Sequence, residues 1–304
     1  MPGVRAGLKR RSRRAYLLGG AAILVAFALA QRWPREPLVL ALSDVAFAGF
    51  GLAALSACVL AVAASPPEER TGWRFFAAGS ATWTLAQLAV GSGTLAFGPA
   101  ALSDALFLIA APIYGVGFLA LLVGHRRHMN AVALAFDAAA VGLTLFAALA
   151  LLLPEVVLGA QTFGSAVAIV YPLLYASATA AAISALWGLP HGRPRGAAVS
   201  LTIGMACNAA AFLLWLPAYL RQEGGLGPVA GVLWMSGMLA VAGAAYIAIE
   251  DYATQATSRL RRQGIHALRL VLPAFVAAIA AYVLVASQLD RATGSDAVVP
   301  VCVA

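Results

Sequence analysis

The chain has 304 residues, is 62% hydrophobic and only 11% charged, and has a mean hydropathy of +0.88. Soluble domains run near half apolar and about a quarter charged, so that class is excluded. The net charge of +8 needs no nucleic acid to explain it, because the Lys and Arg residues gather in short turns as a collar facing anionic lipid, worth about 1 kcal/mol per residue near the surface.

The apolar residues fall in runs of roughly 18–25, the length of a helix that spans hydrocarbon about 30 Å thick. Backbone amides in lipid must bond within their own element. The short alternating segments of a β-barrel are absent. The expected fold is all-α, a polytopic transmembrane helix bundle of about 9–10 spans with a cytoplasmic N-terminus. In chain order, residues 1–14 form a basic cytoplasmic tail and 15–288 the bundle. Its spans are predicted at 15–30, 38–64, 73–95, 102–123, 130–153, 161–188, 197–220, 227–249 and 265–288. Residues 289–304 read as an outer loop and the start of a last helix, cut part-way, opening near 297. SRRAYLL (12–18) with Ala28-Leu29-Ala30 also fits a twin-arginine export signal with a cleavage site, but an uncleaved first helix with an Arg-rich flank is expected.

Positive flanks stay cytoplasmic. With the N-terminus inside, the inner turns hold six residues of the tail, then Arg70, Arg74, Arg126, Arg127, Arg193, Arg195, Arg259, Arg261, Arg262 and Arg269, whereas the outer side holds only Arg32, Arg35, Arg221 and Arg291. The expected location is a bacterial cytoplasmic membrane. Lys9 is the single lysine in a chain rich in Ala, Gly and Arg, a composition typical of a high-GC genome.

No catalytic constellation is legible and no cofactor is implied. HExxH, a phosphate-binding GxxxxGK[ST] loop and a G-x-S-G stretch paired with an intramembrane histidine are all absent from the sequence. No metal site is read. Cys58, Cys207 and Cys302 are scattered without ligand spacing. His125 and His128 could share a helix face, but Arg126 and Arg127 between them would repel a cation, so a solvated basic loop is expected.

Intramembrane ionisable groups are functional candidates by default. Asp44 and Asp104 fall near the outer ends of their helices, and Asp137 lies about two turns in from the inner face. A carboxylate pair at similar depth could bind a cation or a proton, whereas Asp44 and Asp137 could equally be neutral or hydrogen-bonded within the bundle. Ser103 is also a natural cap for the helix it precedes, with Asp104 meeting the positive end of the dipole. Pro112, Pro172 and Pro273 lie inside spans and should kink them. Trp83 and Gln87 share a helix face. Gln87 and Asn208 are expected to bond across helices. Gly227 and Gly231 form a GxxxG pair that fits close packing within the chain.

The order of these features resembles the multi-span N-terminal region that precedes GGDEF and EAL domains in actinobacterial cyclic di-GMP signalling proteins. Trp83 and Gln87 stand for its Trp-containing helix. Pro99, Ser103, Asp104 and Phe107 stand for a P-S-x-A-D-x-x-Y-L turn, and Pro112 for the mid-span proline. Phe136-Asp137, Val170-Tyr171-Pro172-Leu173, Trp234 with Gly237, and Arg269, Leu270 and Pro273 follow in order. The resemblance covers about residues 73–290. It departs in the longer Pro–Ser spacing and in the missing acid after Tyr171-Pro172. Neither a GGDEF nor an EAL stretch is present. The resemblance implies a membrane sensory or anchoring module, working as a homodimer and coupled to a cytoplasmic output domain or partner. The rival expectations are a small-solute transporter of drug/metabolite type and a stand-alone membrane protein without a catalytic role.

Overall fold

Proline marks where several helices begin. It lacks the amide that a first turn leaves unbonded anyway, and its fixed φ suits that position. The computed structural model describes residues 20, 22, 24, 25, 37–92, 102–125, 131–152, 163–189, 193–220 and 228–255. Its long helices are α1 (Pro37–Ala64), α2 (Pro67–Ser92), α3 (Leu102–His125), α4 (Ala131–Leu152), α5 (Phe163–Gly188), α6 (Arg193–Leu220) and α7 (Pro228–Gln255). Among the described residues, segments of five of them are long and apolar enough to cross a membrane: Asp44–Ala64, Leu102–His125, Val167–Gly188, Arg195–Pro217 and Val229–Tyr252. The chain is thus a multi-span helical membrane bundle.

The predicted spans match these helices to within a few residues, except in two places. Helix α2 begins at Pro67, not at 73, because SPPEERTG is only in part a loop. The amides of Glu69 and Arg70 both donate to the Pro66 carbonyl, at 3.2 and 3.1 Å, and the Arg70 guanidinium donates to the Ser65 carbonyl at 3.2 Å. Glu68 and Glu69 thereby occupy the first turn, where the helix dipole favours negative charge. Helix α7 runs on to Gln255, past the expected 249, where Tyr252 is tied to another helix. The predicted spans 265–288 and 297 onward, Pro273, Arg269, Gly227, Cys302, His128, His191, His266 and the residue 1–14 tail lie outside the described residues. So does most of span 15–30.

Six helices close into a ring, each packed on the next: α1 on α2, α2 on α3, α3 on α5, α5 on α6, α6 on α7, and α7 back on α1. Helix α4 stays outside, resting mainly on α5, and most of its described side chains are exposed. The ring is filled, not hollow. Tyr114 of α3 shares a hydrogen bond with Ser80 of α2 at 3.0 Å, and its hydroxyl reaches the Met238 sulfur of α7 at 3.9 Å. Phe76, fully buried, lies 6.3 Å from the Tyr114 ring and 5.0 Å from buried Phe118, and Trp73, Met205 and Met235 are fully buried in the same core.

In lipid, helices associate through close packing and interhelical hydrogen bonds, not water exclusion, so small residues matter at crossings. One close crossing joins α6 and α7. A Cβ added at Gly204 would lie 2.9 Å from the Gly237 carbonyl oxygen, and one added at Gly237 would lie 2.9 Å from the Gly204 carbonyl oxygen and strike Asn208. Gly227 of the expected GxxxG pair lies outside the described residues. At the other extreme, nothing lies within 4 Å of a Cβ added at Gly49. We expect Gly49→Ala to be neutral or to stabilise by up to about 1 kcal/mol through helix propensity, read as the thermal unfolding midpoint in detergent.

Candidate functional site

Helix α3 carries one polar cluster at each end. Asp104 is in its first turn and His125 in its last. Twenty-one residues at 1.5 Å rise separate them by roughly 31 Å, about the thickness of the hydrocarbon core. One cluster therefore lies at each face of the membrane.

At the His125 end, Glu69 of α2 is the hub. Its Oε1 lies 3.2 Å from His125 Nε2, and its Oε2 accepts from the Tyr252 hydroxyl of α7. Trp73 Nε1 donates to that same Tyr252 oxygen at 3.0 Å, and the other His125 ring nitrogen meets the Leu121 carbonyl at 3.0 Å. Four side chains from three helices thus form one connected network, with Glu69 only 8% exposed. Gly124 makes the approach possible, because a Cβ there would collide with the Glu68 carbonyl. His125 is thus a half-buried partner of a carboxylate, not the solvated loop histidine that its Arg-rich neighbours suggest. Sequence reasoning misses Glu69 and Tyr252. The available signal is that both sit at helix ends expected to share the inner face.

This network also bears on the layout. It holds the ends of α2, α3 and α7 at residues 69, 125 and 252 together, so the turns there share one end of the bundle. Trp73 is buried and His125 and Tyr252 are partly buried, so removing the hub leaves polar groups short of a partner. We expect Glu69→Ala to cost about 1–3 kcal/mol and Tyr252→Phe about 1 kcal/mol. The double variant should lose less than the sum, because both remove the same contact. Chemical unfolding of the four forms in detergent checks this.

At the opposite end, Asp104 Oδ1 accepts from the Tyr171 hydroxyl of α5 at 2.6 Å. That short O–H to carboxylate bond has the length of a charge-assisted one. Tyr171 stacks on Phe212 of α6, with centroids 4.9 Å apart and planes 15° apart. Phe212 also stacks on Tyr175 at 4.9 Å and meets Trp234 of α7 edge-on at 5.0 Å. Trp215 lies 6.1 Å from Tyr171 and 6.3 Å from Trp234. Phe107 links the group to Trp83 of α2 at 6.0 Å, and Phe47 of α1 meets Trp234 at 6.4 Å. Every helix of the ring contributes an aromatic side chain to this one cluster. Comparison with family models, with curated proteins and with solved structures finds no match for this chain.

Helix α3 starts at Leu102, so Ser103 lies inside its first turn and is buried, not ahead of the helix as its cap. Asp104 is in that turn too, but its hydrogen bond is to Tyr171 on another helix. Trp83 is fully buried, and Gln87 is half-buried one turn away. Neither Gln87 nor Asn208 forms the expected bond across helices among the described residues. Asn208 instead donates to the Gly204 carbonyl on its own helix at 2.9 Å, because the α6–α7 crossing leaves no reach beyond Gly237.

Asp44 is half-buried on α1. Asp137 is exposed on the outer face of α4 beside exposed Phe136 and Val141, not inside the bundle, because α4 stands outside the ring. Pro112 and Pro172 both lie within continuous helices, and so does Pro217, which the sequence pattern does not single out. Among the described residues, no group of three or more His, Cys, Asp or Glu could hold a metal ion.

Proposed function

We propose that this chain is a membrane sensory or anchoring module, in the manner of the bundles that precede cyclic di-GMP signalling domains. It works as a homodimer in the bacterial cytoplasmic membrane, with its N-terminus inside. The observation that carries this reading is the Glu69–His125–Tyr252–Trp73 network. It binds the end of α7 to α2 and α3 at the face where output would be delivered. A stimulus that repacks the ring would change whether α7 is held there. Such a stimulus acts only through different affinity for the two packings. The filled ring around Tyr114 fits a switch better than an open path for solute.

Deleting the gene in its native host should change the cellular level of cyclic di-GMP. A Tyr252→Phe replacement should change it in the same assay while the protein remains in the membrane fraction. Levels unchanged in both strains would sink the reading.

One observation favours a second reading. The Asp104–Tyr171 bond joins the two helices that carry Pro112 and Pro172, and proline-bearing helices around a carboxylate also suit a small-solute transporter. Uptake of solute into reconstituted vesicles would establish transport in place of sensing.

A further inference from the structure

Asp104 stands at the end of the bundle expected to carry the fewer positive charges, Arg32, Arg35, Arg221 and Arg291. Among the described residues the only Lys or Arg are Arg70, Arg74, Arg193 and Arg195, all near helix starts that belong to the other end. No basic side chain among the described residues pairs with this carboxylate. Among the described residues, the side-chain donor to it is the Tyr171 hydroxyl, and a carboxylate can accept about four hydrogen bonds. Beside it rise the faces and edges of Tyr171, Phe107, Phe212 and Trp215, in mutual contact at 4.9 to 6.5 Å.

The same cluster holds a second anomaly. Trp83 Nε1, Trp234 Nε1 and the Tyr175 hydroxyl, all on rings of the cluster, are fully enclosed without a hydrogen-bond partner, and so is Asn208 Oδ1 one turn from Phe212. Each such orphan weakens a core relative to a hydrocarbon ring of similar size. A core selected only for packing would use Phe and Leu at these positions. Rings with polar edges, gathered beside the Asp104 carboxylate, fit a region that accepts a polar occupant in another packing.

A carboxylate with an aromatic wall is the chemistry that selects an organic cation. The carboxylate supplies the charge, and the ring faces attract a cation whose hydration is weak. An inorganic cation would want several oxygens, and these are absent among the described residues. An anion would meet the wrong charge. We infer that the Asp104 end of the ring, walled by Tyr171, Phe107, Phe212 and Trp215, binds a small organic cation of the quaternary or protonated tertiary amine class. As the stimulus of a sensory module this ligand rests on the reading above, whereas its binding does not. Entry of the ligand between α3, α5 and α6 separates rings that now touch, and so repacks the ring of helices.

Choline and its uncharged carbon isostere 3,3-dimethylbutan-1-ol have the same shape and differ in charge, so the pair isolates the cation. The full chain in nanodiscs should bind choline saturably by calorimetry and by tryptophan fluorescence, after subtraction of empty nanodiscs, and should not bind the isostere. Asp104→Asn keeps the shape and should weaken choline about tenfold or more. Trp215→Leu should weaken it about three- to tenfold, with the unfolding midpoint recorded for both variants. Absence of saturable choline binding to the unaltered chain overturns the inference, whatever the variants do. Equal binding of the isostere, or an Asp104→Asn protein that binds choline unchanged, overturns it as well. The Tyr252→Phe experiment at the other face is independent, so the site and the signalling role can fail separately.

Discussion

Phe212→Ala should destabilise the bundle by about 3–5 kcal/mol, the range for removing a large aromatic from a packed core. Phe212 is nearly buried and touches five other rings: Tyr171, Tyr175 and Trp234 at 4.9 to 5.0 Å, Trp215 at 6.2 Å and Phe107 at 6.5 Å. Such pairs add about 0.5–1.5 kcal/mol each beyond the area they cover. In lipid there is no water to drive recollapse, so lost contacts are lost outright. Phe212→Leu should recover about half of the loss, since it refills most of the volume. Steric-trap or denaturant unfolding in detergent measures both. A loss below about 0.5 kcal/mol, the usual range of a surface change, would mean that the cluster does not hold the bundle together. Because Phe212 backs Tyr171, the Ala variant should also loosen the Tyr171 contact to Asp104, visible as altered tryptophan emission from Trp215.

Gly237→Ala should be worse than its single methyl group suggests, costing about 3 kcal/mol where an open helix site would gain. The added carbon meets the Gly204 carbonyl at 2.9 Å and the Asn208 amide. A backbone oxygen cannot swing aside, so α6 and α7 must separate. Their separation also strips Ser200, whose hydroxyl donates to the Ala240 carbonyl at 2.8 Å across the same interface. The control is Gly243→Ala, where the nearest atom is the Ser200 hydroxyl at an ordinary 3.6 Å, and little change is expected. Unfolding curves of the two variants side by side give the answer, and equal midpoints would contradict the close crossing.

Much of the fold is legible in the hydropathy pattern. Helices α1, α3, α4, α5 and α6 begin and end within about four residues of the predicted spans. The boundary errors have local causes of a kind that pattern reading undervalues. Pro67 with Glu68 and Glu69 is a helix start written in polar letters, and Tyr252 extends α7 because a partner 183 positions away holds it. The candidate sites are legible only in part. Asp104, Tyr171, Trp83, Trp234 and Gly237 all stand out in the sequence, but as separate marks along a line. Glu69 reads as loop and His125 as solvated charge. Asp137 sits in a stretch as apolar as the other spans, yet it lies outside the ring.

Hydropathy and charge alone settle the class of the molecule, the run of its helices and the turns that share an end. The physical reason is that lipid acts on each segment separately: a run of apolar residues must satisfy its own backbone whatever the rest of the chain does. Which side chains meet is a matter for the tertiary structure. Tyr171 reaches Asp104 across 67 residues and Tyr252 reaches Trp73 across 179, and both contacts exist only because six helices close in one particular order. That order is set by packing at crossings such as Gly204 with Gly237, where shape acts between helices that hydropathy cannot tell apart.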